Sequence, residues 1–339
     1  MRVRVHDEFG PEALAMMQAL YSRSAESVDV HVDRVRERGS SEFMESYYVG
    51  YGHASIGDCG VTTLFIENVS ILACKAFQNN RLYSGQETST RYIDFAKQDI
   101  VDPLDRPEAH EIQNNWLKFY LDIQAPLVAS LKQRFPREAD QKEKQWEKAI
   151  EARSFDIARG FLPAGITTQF SWTTNLRQAY DNLVLLKAHP LAEVREIANI
   201  CLSELKTKYP SSFGHREDEA VTAYHEEAAR QFSYDRPTND IPRSDGFGYN
   251  CEIRKSDLDA RCADLLRKRP AAAGLPKELS AFGSYRCQFD LDYGSFRDLQ
   301  RHRMMTIDWQ QLCPEHGFDL PEAVEAAGVG EPFLEVMDR

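Results

Sequence analysis

The order helix, strand, helix occurs twice in this chain, and this repetition constrains the fold more than any other feature. In the first copy, residues 39–81, the end of a helical region predicted over residues 28–51 precedes VTTLFIEN (61–68), which is rich in β-branched and aromatic residues. SILACKAFQNN follows and begins with a serine suited to capping a helix. In the second copy, SDLDARCADLLRKR, SYRCQFDLD and YGSFRDLQRHR predict the same three elements in the same order. The sequence therefore predicts an internal but incomplete repeat, because the chain ends where a second helical half would follow.

Most of the remaining sequence has helical periodicity. Residues 103–158 predict an almost continuous helical region, and ITTQFSW (166–172) predicts a second strand. Two more helices are expected on either side of His189 and Pro190. We therefore predict an α+β fold that is helix-rich and has a small, central, mainly antiparallel sheet.

Three regions are predicted along the chain. Residues 1–215 are expected to form a first domain, which carries most of the candidate site residues discussed below. Residues 216–255 are expected to form a helix with a linker, and residues 256–339 the incomplete second repeat. The linker is SYDRPTNDIPRSDGFGYN, which is rich in Pro, Gly and Asp and lacks helical or strand periodicity. Its GFGYNC lacks the third glycine of a dinucleotide-binding fingerprint and follows no predicted strand, so it is not interpreted as one.

Composition argues against several kinds of partner. The 339 residues carry a net charge of −12, whereas binding to a nucleic-acid backbone needs a surplus of Lys and Arg. No apolar run approaches the roughly 20 residues of a membrane span, and the N-terminus has no signal-peptide pattern. The seven cysteines form no CxxC pair, which is typical of a reducing compartment. We expect a cytoplasmic protein that binds neither nucleic acid nor membrane.

No metal site is predicted. His189, His215 and His225 are the histidines considered as ligands, but their spacings match neither a helical pair nor a zinc finger. Ordinary surface or core histidines explain them better.

The sequence FQNNRLYSGQETSTRY (77–92) places many hydrogen-bonding groups directly after a predicted helix. Arginine forks and serine hydroxyls suit a phosphate monoester, and a carboxylate suits a sugar hydroxyl or a ring N–H. Any one of these side chains is explained more simply as part of a polar surface loop, but the whole set is not. The candidate ligands of such a phosphate monoester are Arg81, Ser84, Glu87, Ser89 and Arg91.

RLYSGQETSTRY resembles the signature of flavin-dependent thymidylate synthases, in which Arg-His-Arg precedes a Ser and then Glu-x-Ser-x-Arg-Tyr. GYGHASIGD and ARGFLPAGITTQFSWTTNLRQAYDNL resemble two further segments of that family, so the similarity covers about residues 40–213. The resemblance implies the fold of that family and a homo-oligomer, usually a tetramer with active sites at subunit interfaces. A dimer would suffice if the second repeat completes the sites. It also implies FAD, methylenetetrahydrofolate as carbon donor, NADPH as reductant and a uridine 5′-monophosphate as small-molecule substrate.

The resemblance assigns roles where residues match. Glu87, Ser89 and Arg91 would hold the nucleotide, with Arg159 assisting at its phosphate or sugar. Arg81 matches the last arginine of the family's Arg-His-Arg. The residues expected to contact FAD are His53, Ser55, Asn175 and Arg177.

The flavin route needs no protein nucleophile. The cofactor supplies the redox and carbon-transfer chemistry, while the protein orients and polarises the pyrimidine ring. The usual folate-dependent synthase instead activates uracil C5 with a cysteine thiolate. Cys313 precedes a proline in QLCPEHG, but nothing else nearby resembles that other family.

The chain departs from the signature at Asn79 and Asn80, which replace its first Arg and its His. A complete Arg-His-Arg occurs instead in the second repeat. It either serves the flavin site, within the chain or across a subunit interface, or persists as a basic helix end, where cations are favoured. Its residues are Arg301, His302 and Arg303.

A second departure concerns the family's uracil-facing arginine. Lys187 takes its place after a one-residue shift and, with Arg159, is a candidate catalytic residue. It either stabilises an ionised ring nitrogen as a point charge or is an exposed helix-end cation. Asp58, where the family often has Glu, is a milder change.

The sequence thus predicts an FAD-dependent C5 methyltransferase of a pyrimidine nucleotide. Its substrate is either dUMP, giving thymidylate, or UMP, as in family members that make 5-methyluridine nucleotides for nucleoside antibiotics. The alternative is a catalytically silent nucleotide-binding or assembly homologue, which the two asparagines favour and the intact loop disfavours.

Overall fold

The computed structural model describes residues 8–24, 26–91, 93–102, 104–214, 218–234, 243–244, 247–271, 273–309, 312 and 317–338. These residues form a helix-rich α+β structure with two small antiparallel sheets, which confirms the predicted class. Three residues considered in the sequence, Tyr92, His215 and Cys313, lie outside the described ranges. Among the helices so described, none is both long enough and apolar enough to cross a bilayer.

The first part of the chain contains ten helices, one of which leads into a π-helical turn, and two strands within the ranges given above. They are α1 (Pro11–Tyr21), α2 (Val28–Arg38), α3 (Ser41–Phe43) with its π-helical continuation (Met44–Gly50), α4 (Ala54–Gly57), β1 (Val61–Ser70), α5 (Ile71–Gln78), α6 (Pro107–Asp122), α7 (Gln124–Arg134), α8 (Glu143–Ala158), β2 (Thr167–Asn175), α9 (Leu176–Leu186) and α10 (Ala192–Lys208). The helix predicted over 28–51 is interrupted at Gly39, whose φ of 69° is readily adopted only by glycine.

The second part contains five more helices and three short strands in the ranges that the structure describes. They are α11 (Glu219–Tyr234), β3 (Arg243–Ser244), β4 (Phe247–Cys251), α12 (Lys255–Arg267), β5 (Tyr285–Phe289), α13 (Tyr293–Leu299), α14 (Glu322–Ala326) and α15 (Gly330–Met337). The predicted order helix, strand, helix is present as α12, β5 and α13.

Two local predictions for this second part are wrong. The end of the predicted linker forms β4, because Phe247 stacks on Phe289 and Tyr249 on Tyr285 across the β4–β5 pair. The predicted final helix ends at Leu299, so residues 301–303 lie in a turn after α13 and not on a helix.

The sheet of β1 and β2 is the scaffold of the first part. The two strands run antiparallel, from Val61 opposite Asn175 to Ser70 opposite Thr167. Helices α4, α5, α9 and α10 cover this sheet and bury Phe77 and Trp172 completely. A second core lies among α6, α7 and α8, and Phe333 of α15 packs into it. The end of the chain therefore packs on its first part.

Candidate functional site

The loop at residues 84–88 lies along the edge of β2 that faces away from β1. The backbone N–H of Thr173 donates to Ser84 O at 2.7 Å, and that of Ser171 donates to Gln86 O at 2.8 Å. Gly85 is required here, because a Cβ atom at this position would lie 1.9 Å from Ser171 O. The loop thus serves as an irregular third strand, and its side chains have fixed positions along the sheet.

Tyr83 anchors the start of this loop. Its hydroxyl donates to Ser171 O at 2.7 Å. Burial, with the nearby Cys74 and Glu87, raises the pKa of Tyr83 to about 12, so the hydroxyl remains a donor at neutral pH. The guanidinium of Arg303, from the turn after α13, lies 4.9 Å from the centre of the Tyr83 ring. A residue of the second Arg-His-Arg therefore contacts the loop of the first repeat.

Glu87 is turned into the protein. Its Oε2 accepts hydrogen bonds from Lys75 Nζ at 2.6 Å and from Gln78 Nε2 at 2.9 Å, and an Arg297 nitrogen lies 3.9 Å from Oε1. Only 11% of the Glu87 side chain is exposed. Burial alone would raise the pKa of Glu87, but Lys75, Arg297 and the hydrogen bonds outweigh burial and hold that pKa below its ordinary value. Glu87 is therefore a buried carboxylate that anchors the loop.

Two predicted phosphate ligands belong to a chain of alternating charges. Asp156 accepts from Arg91 at 2.5 and 3.0 Å and lies 3.6 Å from Arg159. Arg159, in the turn that follows α8, donates to Asp298 of α13 at 2.5 Å. Arg301 lies 3.7 Å from Asp298 as well. An incoming phosphate dianion must therefore compete with the two carboxylates for the arginines.

The remaining predicted nucleotide ligands lie at the surface. Arg81, Ser84 and Ser89 are exposed. A groove of about 210 Å³ runs beside the loop, lined by residues 65–67 of β1, 86–88 of the loop and 169–171 of β2. Ligand pockets typically occupy about 300–1,000 Å³. Within one protomer, this groove is too small to enclose a nucleotide together with FAD.

The four predicted flavin contacts cluster at one end of β2. Asn175 caps α9, since its Oδ1 accepts from the Gln178 N–H at 2.8 Å, and Arg177 forms two 2.7 Å bonds with Asp58. Exposed His53 and Ser55 lie at the start of α4. Ser84 lies opposite Thr173, two residues before Asn175, which corresponds to roughly 7 Å along a strand. The predicted flavin and nucleotide sets are therefore neighbours along β2.

The part of the chain that forms this arrangement matches a known family. The family model described as thymidylate synthase complementing protein, the flavin-dependent thymidylate synthase family, matches residues 5–211. The chain belongs to this family.

Three relatives of this family member are named UPF0159 proteins. It is 26% identical to one from Chlamydia pneumoniae and 25% identical to one from Chlamydia muridarum, over 88% of its own length and 66% of theirs. A UPF0159 protein from Thermoplasma acidophilum is 22% identical over 94% of this chain and 78% of that protein. The chain thus spans about two thirds of the length of the chlamydial relatives. The similarity extends beyond the segment matched by the thymidylate synthase complementing protein model.

The second Arg-His-Arg, residues 301–303, lies in the turn after α13. Arg301 is largely exposed and lies 3.7 Å from Asp298, and His302 is exposed as well. Arg303 lies against Tyr83. Through Arg303, the turn with the second Arg-His-Arg therefore contacts the start of the 84–88 loop within a single chain.

Lys187 lies apart from that loop. It follows α9 and lines a cavity of about 310 Å³ together with His189, Arg195 and Arg230. None of the described lining residues belongs to positions 81–91. His189 Nδ1 accepts from the Leu191 N–H at 3.1 Å, and burial, assisted by Arg195, lowers the pKa of His189 to about 4. This histidine is a neutral structural group at physiological pH.

Sequence reasoning missed the partners that hold these side chains. They are Lys75, Gln78, Asp156, Arg297 and Asp298. A signal exists for Lys75, because a lysine on the otherwise apolar face of ILACKAFQ needs a buried counter-charge. Aligning the two repeats places Arg297 at the same position of α13. Asp156 and Asp298 have no comparable signal, since acidic residues on helices are usually solvated.

Proposed function

We propose that the protein catalyses the flavin-dependent reductive C5 methylation of a uridine monophosphate, with methylenetetrahydrofolate as carbon donor and NADPH as reductant. The observation that carries this proposal is the loop at residues 84–88. It lies in the family-matching segment and is hydrogen-bonded to β2 along its length. Both UMP and dUMP are proposed as substrates, because none of the described residues at the loop selects for or against the 2′-hydroxyl.

In this proposal, Arg91 and Arg159 bind the nucleotide phosphate bidentately, and Ser84 and Ser89 donate to the phosphate or the sugar. Glu87 acts through the loop that it anchors. Ser84 and residues 86–88 lie along one edge of β2, and Arg91 follows them in the chain, so a nucleotide bound there would have a fixed orientation, which is the chief contribution of a protein to cofactor chemistry.

The donor set beside the loop fits FAD. Arg303 is held on the Tyr83 ring while Arg301 and His302 are exposed, so cationic and hydrogen-bonding groups are available to a pyrophosphate. Together with His53, Ser55, Asn175 and Arg177, they are the residues proposed to hold FAD. When bound, FAD would supply the redox and carbon-transfer chemistry.

We further propose that a second copy completes each site, in a tetramer or a dimer. Within one protomer the groove beside the loop is small, and Lys187 lines a different cavity. Phe65, which is 77% exposed at this groove, provides apolar surface for such an interface. Lys187 of one copy would then face the pyrimidine held by another copy.

We place the protein in the cytoplasm, in agreement with the free thiols of Cys59, Cys74 and Cys201.

The experiment is an assay of the purified full chain with labelled methylenetetrahydrofolate, NADPH, added FAD and either UMP or dUMP. The expected result is a yellow protein that transfers label to C5 of one nucleotide. Comparing the two kcat/KM values identifies the substrate. A yellow protein that transfers no label to either nucleotide would refute the proposed reaction.

A silent nucleotide-binding or assembly homologue is the second candidate, favoured by Asn79 and Asn80 in place of Arg and His. It would purify without colour, fail to take up added FAD and still bind UMP or dUMP. Calorimetry with both nucleotides and FAD separates this candidate from the enzyme.

A further inference from the structure

Helices α5 and α13 are corresponding elements of the two repeats. Ser70 caps α5 by accepting from the Ala73 N–H at 2.9 Å, and Asp292 caps α13 by accepting from the Ser295 N–H at 2.9 Å. Aligning the two caps places Arg297 opposite Lys75. The structure therefore gives the two repeats one long cation each at the same helical position.

The two cations converge on one carboxylate. Lys75 binds Glu87 Oε2 at 2.6 Å, and Arg297 approaches Oε1 to 3.9 Å from the opposite helix. The side chains of Lys75 and Arg297 are 4% and 9% exposed. The corresponding glutamines also take part, because Gln78 donates to Glu87 and Gln300 donates to Lys75 O at 2.9 Å. Glu87 belongs to the first repeat only, so two equivalent cations serve a single acidic group.

Helix α13 is seated closely enough to fix this arrangement. A Cβ atom added to Gly294 would lie 3.1 Å from Gly160 Cα, so the two backbones nearly touch. The Tyr293 hydroxyl donates to Ile71 O at 3.3 Å, at the start of α5. These contacts fix the position of α13 and therefore the position of Arg297 relative to Glu87.

We infer that Arg297 is a positioning residue for the proposed nucleotide site. It acts from the second repeat on the carboxylate of Glu87 and thereby keeps the 84–91 loop on β2, with Ser84, Ser89 and Arg91 facing outward. Because Glu87 is buried, removing one of its two cations weakens the anchor of the loop without removing a ligand of the substrate. The effect expected on nucleotide binding rests on the proposed function, whereas the effect expected on the loop does not.

The experiment compares Arg297→Gln with Arg297→Lys and with the matched control Arg286→Gln, an exposed arginine on β5 of the same repeat. Hydrogen exchange of the full chain reports on the N–H groups of Thr88, Ser171 and Thr173, which form the loop–β2 bonds. Exchange at these groups should be at least about tenfold faster in Arg297→Gln. The exchange rates in Arg297→Lys should remain within about threefold of the wild-type rates, and the rates in Arg286→Gln should equal the wild-type rates.

Binding of UMP and dUMP, measured by calorimetry, gives the second result. Arg297→Gln should raise the dissociation constant about tenfold at unchanged stoichiometry, whereas partial unfolding would lower the stoichiometry instead. The double variant Glu87→Gln, Arg297→Gln should bind no more weakly than Glu87→Gln alone, because both changes act through one group.

The possible failures are distinguishable. Unchanged exchange in Arg297→Gln would overturn the inference whether or not any nucleotide binds. Faster exchange, in a chain whose wild type binds neither UMP nor dUMP, would support the positioning of the loop and refute the proposed function. Fully additive effects of Glu87→Gln and Arg297→Gln on binding would show that Arg297 acts elsewhere.

Discussion

The two strand-to-helix units of this chain have kept different parts of one signature. The first unit retains the loop with Glu87, Ser89 and Arg91 but has asparagines where the family has Arg and His. The second retains Arg301, His302 and Arg303, and no comparable loop follows them in the sequence. In the structure, Arg303 of the second unit contacts Tyr83 at the start of the loop of the first unit, and Arg301 and His302 lie in the same turn as Arg303. The two units therefore contribute different side chains to one region of the molecule.

The largest expected effect comes from removing the single carboxylate on which both copies converge. Glu87→Ala leaves Lys75 and Arg297 buried without a counter-charge, which should lower the free energy of unfolding by about 3–5 kcal/mol. Urea unfolding measures this change. Glu67→Ala, an exposed carboxylate on β1, is the matched control and should have little effect. Equal losses in the two variants would mean that the two helices are not held together through Glu87.

The second prediction concerns the Arg-His-Arg of the second copy. Arg301→Gln combined with Arg303→Gln should weaken FAD binding by about 2–3 kcal/mol, because charge-assisted bonds to the pyrophosphate are lost. The ratio of flavin to protein after purification, and titration of the apoprotein with FAD, measure the loss. Arg261→Gln on α12 removes a comparable charge from the same repeat and serves as control. Undiminished flavin content would identify residues 301–303 as a basic turn without a role in the site.

The third prediction compares one glycine from each copy. Gly85→Ala forces a methyl group against Ser171 O and should destabilise the protein by about 1–3 kcal/mol while detaching the loop from β2. Gly294→Ala meets its nearest atoms at 3.0–3.1 Å and should cost less. Gly160→Ala has open space and should be nearly neutral. Thermal unfolding of the three variants gives the ranking, and a reversed order would contradict the packing of the loop.

The smallest expected effect concerns competition for Arg159. Asp298→Asn removes one of the two carboxylates that face this arginine and should lower the dissociation constant for UMP or dUMP about three- to fivefold, or by about 1 kcal/mol. This gain in nucleotide affinity should be smaller at high salt, because salt screens the charges. Asp259→Asn, an exposed carboxylate on α12, is the control with the same change in net charge. Weaker binding in Asp298→Asn would show that Asp298 orients Arg159 and does not compete for it.

The sequence predicted the backbone of this site better than its side-chain partners. β-Branched and aromatic residues located β1 and β2, and hydrophobic periodicity located α9 and α10, each to within a few residues. The strand β4 was missed because its aromatic residues pair with β5, a long-range contact that a Gly-rich segment does not reveal. The inward orientation of Glu87 could not be predicted either, since its cations Lys75 and Arg297 come from different repeats.

Local patterns also explain why the charged chain of Arg91, Asp156, Arg159 and Asp298 was not anticipated in full. The two arginines were identified through motifs, but no motif marks their acidic partners, Asp156 on α8 and Asp298 on α13. Which helical carboxylate meets an arginine depends on how α8 and α13 pack, and no local sequence rule describes that packing.

The loop that pairs with β2 has a consequence for solubility. An unpaired strand edge is a template on which another chain can extend a sheet, and the main-chain bonds at Ser171 and Thr173 occupy that edge. The same residues that are proposed to bind a nucleotide therefore protect the protein from intermolecular β-pairing. Substitutions that release the loop should deplete the soluble protein through aggregation before catalysis can be assayed, and selection for a soluble chain would preserve the loop even where turnover had been lost.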